Sequence, residues 1–240
     1  MTETSAAPEN VSTDYPQTVA VVGGHGKIAL LLTRILADRG VGVRNLVRNP
    51  DHAADVEAAG GTTVVCDVEV AGIAEITEAL GDADAVIYAA GAGGGSDAFR
   101  KFSMDMAGSV KSIQAAHALQ ESKGTAVRFV QISFVGAQNP VAEGTDAIFT
   151  AYWDGKRIAD DALKASYLPW TIVKPGALLD DPATGNLSVD SGTSRGVKTI
   201  RGDVAGFIAL VLGDPRTVNR EFDIWDGEQP MDRALEEFLA

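Results

Sequence analysis

Tyr152-Trp153-Asp154-Gly155-Lys156 sets a phenol and an ammonium four positions apart. On a helix, positions i and i+4 share a face, so both side chains can point into one cleft. A carbonyl that receives a hydride at carbon must receive a proton at oxygen. A phenol can supply that proton when a nearby ammonium lowers its pKa from the ordinary value of about 10. Lys156 carries the charge for this, and the same ammonium can hold a ribose hydroxyl.

A second constellation stands near the start of the chain. The run Gly23-Gly24-His25-Gly26-Lys27-Ile28-Ala29 fits G-x-x-G-x-x-(G/A). Gly23 suits a sharp turn, Gly26 a close backbone approach to a pyrophosphate, and Ala29 tight packing of helix on strand. Lys27 and Ile28 open the helix, whose first N–H groups are free to meet phosphate. With 26 glycines in the chain the spacing alone decides little. Its place does: it follows an apolar β-branched run, 18–22, and opens a helical pattern. The second strand ends at Arg48, where a dinucleotide site meets the adenosine ribose. A guanidinium there pairs with a 2′-phosphate, which favours NADP over NAD. Asp67 closes the third strand, where it could accept from an adenine amino group. Ala90 and Gly91 close the fourth, where small residues let the backbone lie against a ribose.

Positioning these groups takes alternating strands and helices. Apolar runs predict strands at 18–22, 41–47, 62–66, 85–89, 127–132 and 170–173. Helical periodicity predicts helices at 28–39, 50–59, 73–80, 99–120 and 151–165. That order implies parallel βαβ units in one doubly wound sheet of the Rossmann kind. Residues 18–240 form the domain, and the Ser-, Thr- and Pro-containing segment 1–17 reads as a disordered tail without signal-peptide character. Beyond Pro175 the pattern is less regular. Residues 176–197 look loop-rich with weak strand signals, followed by a helix at 203–212, a strand at 221–224 and a terminal helix at 233–239. This part, 176–240, is expected to shape the substrate pocket.

Composition narrows the partners. The 240 residues include 33 acidic and 20 basic ones, a formal net charge of −13. So acidic a chain does not suit a nucleic-acid backbone or an anionic membrane surface. No stretch has the roughly 18 apolar residues a membrane helix needs. One cysteine, Cys66, excludes an internal disulfide, and three scattered histidines do not form a metal site. The expected setting is cytoplasmic, with a small-molecule substrate and an open oligomeric state. If the ligand is an anionic dinucleotide, Arg48, Lys156 and helix N-terminal amides must make its cleft locally positive.

Together, VAVVGGHGKIA, LVRNP, CDV, YAAGAG, VQISFVGA, YWDGK and TIVKPGAL resemble the atypical short-chain dehydrogenase/reductase family. The closest likeness is to small bacterial NAD(P)H-binding proteins akin to flavin and biliverdin reductases and to nitrogen-metabolite regulators. It spans about residues 18–225. The resemblance implies NADP in a crevice at the strand ends, with Gly23, Gly26 and Ala29 at the phosphates and Arg48 at the 2′-phosphate. It places Asp67 and Val68 near adenine, Ala90 and Gly91 near the ribose, and Pro175 and Gly176 by the nicotinamide. It also implies a substrate-orienting serine after the fifth strand. The place this family commonly gives that serine holds Phe134, so Ser133 serves only if the register shifts, and a one-residue shift reverses a strand's faces. Phe134 could instead offer a flat wall to a flavin or quinone ring.

Other residues read as ordinary structure. Asp105 is expected at the surface, and Asp160-Asp161 on a solvated helix face. Met104 and Met106 are gap-filling core, Trp153 is a packing anchor, Cys66 is core, and His25 is an exposed loop residue. Two functions follow: an NADP-dependent oxidoreductase acting on a small carbonyl, quinone or flavin-like compound, or a non-catalytic NAD(P)-binding redox sensor.

Overall fold

The computed structural model describes residues 15–192 and 196–240. Strand and helix alternate from the first element: β1 (Thr18–Val22), α1 (Lys27–Ala37), β2 (Gly42–Val47), α2 (Ala53–Ala58), β3 (Thr62–Val65), α3 (Ile73–Leu80) and β4 (Ala85–Tyr88). A continuous helical run follows, made of α4 (Ala98–Arg100), a π-helical stretch (Lys101–Gly108) and α5 (Ser109–Lys123). Next come β5 (Arg128–Ile132), α6 (Ala147–Lys164) and β6 (Trp170–Pro175). The rest of the chain adds β7 (Ala177–Leu179), β8 (Asn186–Asp190), β9 (Lys198–Ile200), α7 (Arg201–Leu212), β10 (Arg220–Pro230) and α8 (Met231–Leu239).

The main sheet runs β3-β2-β1-β4-β5-β6-β10-β8. All its pairs are parallel except β10 with β8. Order reverses beside β1, so the carboxyl ends of β1, β2 and β4 lie together, with Val22 level with Leu46 and Tyr88. In open α/β sheets a ligand crevice forms at such a switch point.

Strand alternation divides the core. Val19 and Val21 face the layer of α1 and α7, whereas Ala20 and Val22 face that of α3 and α5. Covered on both faces, the inner strands read as unbroken apolar runs, which is why the sequence located them.

The C-terminal region is more ordered than its composition suggested. Within 176–197 the chain forms β7 and β8, and β7 pairs with β9 in a small parallel sheet. Residues 193–195 of that segment, and 1–14 of the expected tail, lie outside the described residues. The last residues of the expected tail are held. Tyr15 packs on the core beneath the Arg39 guanidinium, and the Gln17 carbonyl accepts from the Gly42 N–H.

Candidate active site

The ends of β1 to β4 frame a cleft of about 270 Å³. Its floor is the turn after β1. Gly23 has φ +79°, and a Cβ on it would lie 2.6 Å from the Ala90 Cα. Only glycine meets both demands. Asn45 fastens the turn: its buried amide donates to the Gly24 carbonyl and to the Thr33 hydroxyl, both at 2.8 Å. The sequence reading missed Asn45, although a lone amide inside the apolar β2 run is a visible signal. Gly26 is extended and caps α1 with no side-chain bond, so the first N–H groups of α1 stay available to an anion. Lys27 and Ile28 can contribute through these backbone groups alone. The Lys27 ammonium is 2.7 Å from Asp180, and the Ile28 side chain is buried core. A pyrophosphate suits this cradle, because the glycine turn lies tight against Ala90 and no side chain caps the α1 N–H groups.

Arg48 lies exposed on the β2 wall of the cleft. Beside it the His25 and His52 rings stack at 3.6 Å, with His25 Nε2 2.7 Å from Asp55. His25 therefore ties the glycine turn to the turn after β2. On the β3 wall, Asp67 accepts from the Glu69 N–H at 3.0 Å, and Val68 is buried. Cys66 packs half-buried against the edge of the core and also lines the cleft, since β3 is the sheet's edge strand. Burial, then Asp67 and Glu75, push its thiol pKa up, so it is a poor nucleophile. Ala90 and Gly91 form the far wall, joined by Arg100, a cation the sequence reading did not single out.

The Tyr152 side is built differently. Lys156 is buried, 3.4 Å from Asp105 and donating to the Ile132 carbonyl at 3.0 Å. Asp105 is 1 % exposed, not a surface acid, because its helical run is covered by the sheet on one side and α6 on another. Its second oxygen accepts from the Ala92 N–H at 3.2 Å, linking Lys156 to the cleft wall. Met104 is buried beside it, and Met106 is partly exposed. Asp160 is likewise fully buried, whereas Asp161 faces outward. Adjacent helical residues point about 100° apart, so the two acids cannot share an environment.

Asp160 accounts for Ser133. The Ser133 hydroxyl donates to Asp160 at 2.6 Å, and the Gln131 amide donates to its other oxygen at 2.5 Å. Ser133 is thus turned into the interior and engaged there. Phe134 instead joins an aromatic group, 5.1 Å from the Tyr152 ring and 6.4 Å from Phe149. Trp153 is the expected anchor, fully buried with its N–H on the Ala137 carbonyl.

The acidity expected of Tyr152 is reversed. Burial first, then Asp105 and Asp160, raise its pKa well above the ordinary phenol value. The sequence reading counted Lys156 without the aspartate that neutralises it. Tyr152, Lys156 and Ser133 are not on the cleft walls, nor are Pro175 and Gly176. Pro175 is buried at the end of β6, and Gly176 packs against the backbone of Val197.

Residues 23–215 match the model of a family described as NAD(P)H-binding. A Bacillus subtilis protein described as an uncharacterized sugar epimerase is 34% identical over 218 residues, covering 90% of this chain and 98% of its own. A solved structure from Bacillus halodurans, named provisionally as an NAD-dependent epimerase/dehydratase, superposes with a TM-score of 0.82 at 31% identity, covering 92% of this chain and 100% of that one. The oxidoreductase ylbE from Lactococcus lactis superposes with a TM-score of 0.76 at 25% identity, covering 92% and 96%. With its Rossmann sheet, glycine turn and whole-length likeness, the chain belongs to the NAD(P)H-binding family.

Proposed function

We propose that the protein is an oxidoreductase that passes a hydride from NADPH to a flat conjugated acceptor, a quinone or flavin-like compound, in preference to an isolated carbonyl. NADPH supplies the hydride. The observation that carries this reading is the surroundings of Tyr152, a phenol packed against Phe134 and Phe149 whose pKa is pushed up by burial, Asp105 and Asp160. An isolated carbonyl needs a proton as the hydride arrives, and this phenol is a weak donor. A quinone or flavin spreads the new charge over its rings and takes its proton from water afterwards. The aromatic faces of Phe134 and Phe149 suit such a ring.

Exposed Arg48 on the cleft supports NADP over NAD, because a guanidinium pairs bidentately with a 2′-phosphate. Sugar epimerisation, suggested by the Bacillus subtilis relative's description, would ask the phenol to ionise, which burial and the two aspartates oppose. The test is NADPH oxidation with menadione, free flavins and small aldehydes. Turnover of menadione or flavin well above that of aldehydes is the expected result. Aldehyde turnover above both would overturn the acceptor class. Tight NADPH binding with silence on every acceptor would make the protein a redox sensor.

A further inference from the structure

α6 crosses the π-helical stretch closely at Gly155. A Cβ there would sit at ordinary contact distance, 3.4 Å from the Lys101 carbonyl and 3.6 Å from the Asp105 Cβ. The packing of these two elements sets Asp105 beside Lys156. The π-helical winding has its own anchor: the Tyr88 hydroxyl donates to the Met104 carbonyl at 2.5 Å. Asp105 then holds Lys156 with one oxygen and the Ala92 N–H with the other. The Lys156 ammonium thus has two oxygen partners, Asp105 and the Ile132 carbonyl, and Tyr152 lies one turn earlier on the same helix.

We propose that Asp105 is a positioning residue that engages Lys156 in a buried ion pair, withholds its charge from Tyr152, and so decides that this Y-x-x-x-K pair does not protonate carbonyls. The catalytic half of this claim rests on the NADPH-dependent reading above; the electrostatic half does not.

The physical case is a count of the charges around the phenol. On α6 stand Lys156 and Asp160. From the π-helical stretch come Asp105 and Lys101, whose ammonium lies 5.2 Å from the Tyr152 ring centre and donates to the Gly93 carbonyl. From the turn after β5 come Ser133 and Phe134, which carry no charge. From β4 comes Tyr88, whose ring centre is 6.0 Å from the Lys156 ammonium. Lys174 on β6 acts on Asp160 and is itself engaged by Glu221. With Asp105 in place, the Lys156 charge is cancelled where it would favour a phenolate. With Asp105 made neutral, the two cations Lys156 and Lys101 stand against the single carboxylate of Asp160 near the phenol. Asparagine keeps the shape and can still accept from the Ala92 N–H, so Asp105→Asn removes the charge with little else.

The test follows tyrosinate absorbance across alkaline pH in the full chain, as wild type, Asp105→Asn and Asp105→Asn/Tyr152→Phe. In Asp105→Asn one tyrosine should titrate at least about one pH unit lower than in wild type, and that step should vanish in the double variant. Adding Lys156→Met to Asp105→Asn should push the step back up. NADPH-linked reduction of an aromatic aldehyde should rise about tenfold or more in Asp105→Asn, with a rate that follows the same titration. Asp105→Ser gives the same readout if the asparagine variant does not fold by circular dichroism. A Tyr152 step that stays at its wild-type pH in the folded variant overturns the proposal. A shifted step without aldehyde turnover supports the electrostatic role and counts against the oxidoreductase reading.

Discussion

The cleft at the ends of β1 to β4 and the Tyr152 side of the sheet use different materials. At the β1–β4 end the glycine turn, Ala90 and Gly91 leave open space beside the exposed Arg48 guanidinium. At the β5–α6 end charged and aromatic side chains are pressed together, and Lys156, Asp105, Asp160 and Ser133 are all buried. The open end binds through groups whose chemistry hardly varies, N–H dipoles and an exposed guanidinium, so it needs only room and direction. The closed end reacts through groups whose chemistry depends on their neighbours. A phenol beside one lysine and a phenol beside a lysine–aspartate pair are different reagents.

The contrast can be broken first at the open end. Gly23→Val forces a branched side chain into a φ of +79° and onto the Ala90 backbone. NADPH binding should weaken at least about 100-fold, near 3 kcal/mol, by calorimetric titration, while the catalytic end keeps its structure. Retained affinity would mean that the cradle is not where the phosphates lie. Arg48→Ala should weaken NADPH about 10- to 30-fold, the scale of a charged hydrogen bond, and leave NADH unchanged. Equal affinity of the wild type for both cofactors would remove the 2′-phosphate assignment.

At the closed end, smaller effects are informative. Tyr152→Phe should leave menadione turnover within about threefold, because no proton from the phenol is needed; a hundredfold loss would return Tyr152 to the role of acid. Asp160→Asn sharpens the point through stability. Burial raises the Asp160 pKa in the folded chain, despite its bonds from Ser133 and Gln131. The folded state then holds a proton that the unfolded chain releases, so the contribution is present below the ordinary carboxyl range and is lost as pH rises through the folded value. Asparagine removes that loss. The melting temperature of Asp160→Asn at pH 7 should fall by no more than about 4 °C, and its decline from acid to neutral pH should be shallower than in wild type. A large loss at neutral pH would show that Asp160 works as a charged partner of Lys156 and Lys174.

Much of the open end was legible in the chain. Val19–Val22 is buried on both faces and so reads as an apolar run, and the glycines after it mark where backbone must bend and approach closely. Arg48 could be placed because it follows the end of β2, which is set by the same apolar pattern. Asn45 was legible too, as an amide in that run, and was overlooked. The closed end was legible only as a pair of residue types. Asp105 adjoins Met104, and single-face periodicity allows only one of them to be inside. Both are inside because α6 covers a second face of that helical run. Asp160 and Asp161 look alike in sequence, yet one meets Ser133 and Gln131 while the other meets solvent.

The sequence by itself determined the strand order's raw material, the glycine turn and the residue types available for chemistry. These depend on local periodicity and backbone freedom, which act over a few residues. The tertiary structure alone decided what the tyrosine and lysine amount to. An ionisable group takes its character from charges within a few ångströms, and here the partner of Lys156, Asp105, comes from a helical run about fifty residues away along the chain, brought close where α6 packs on it.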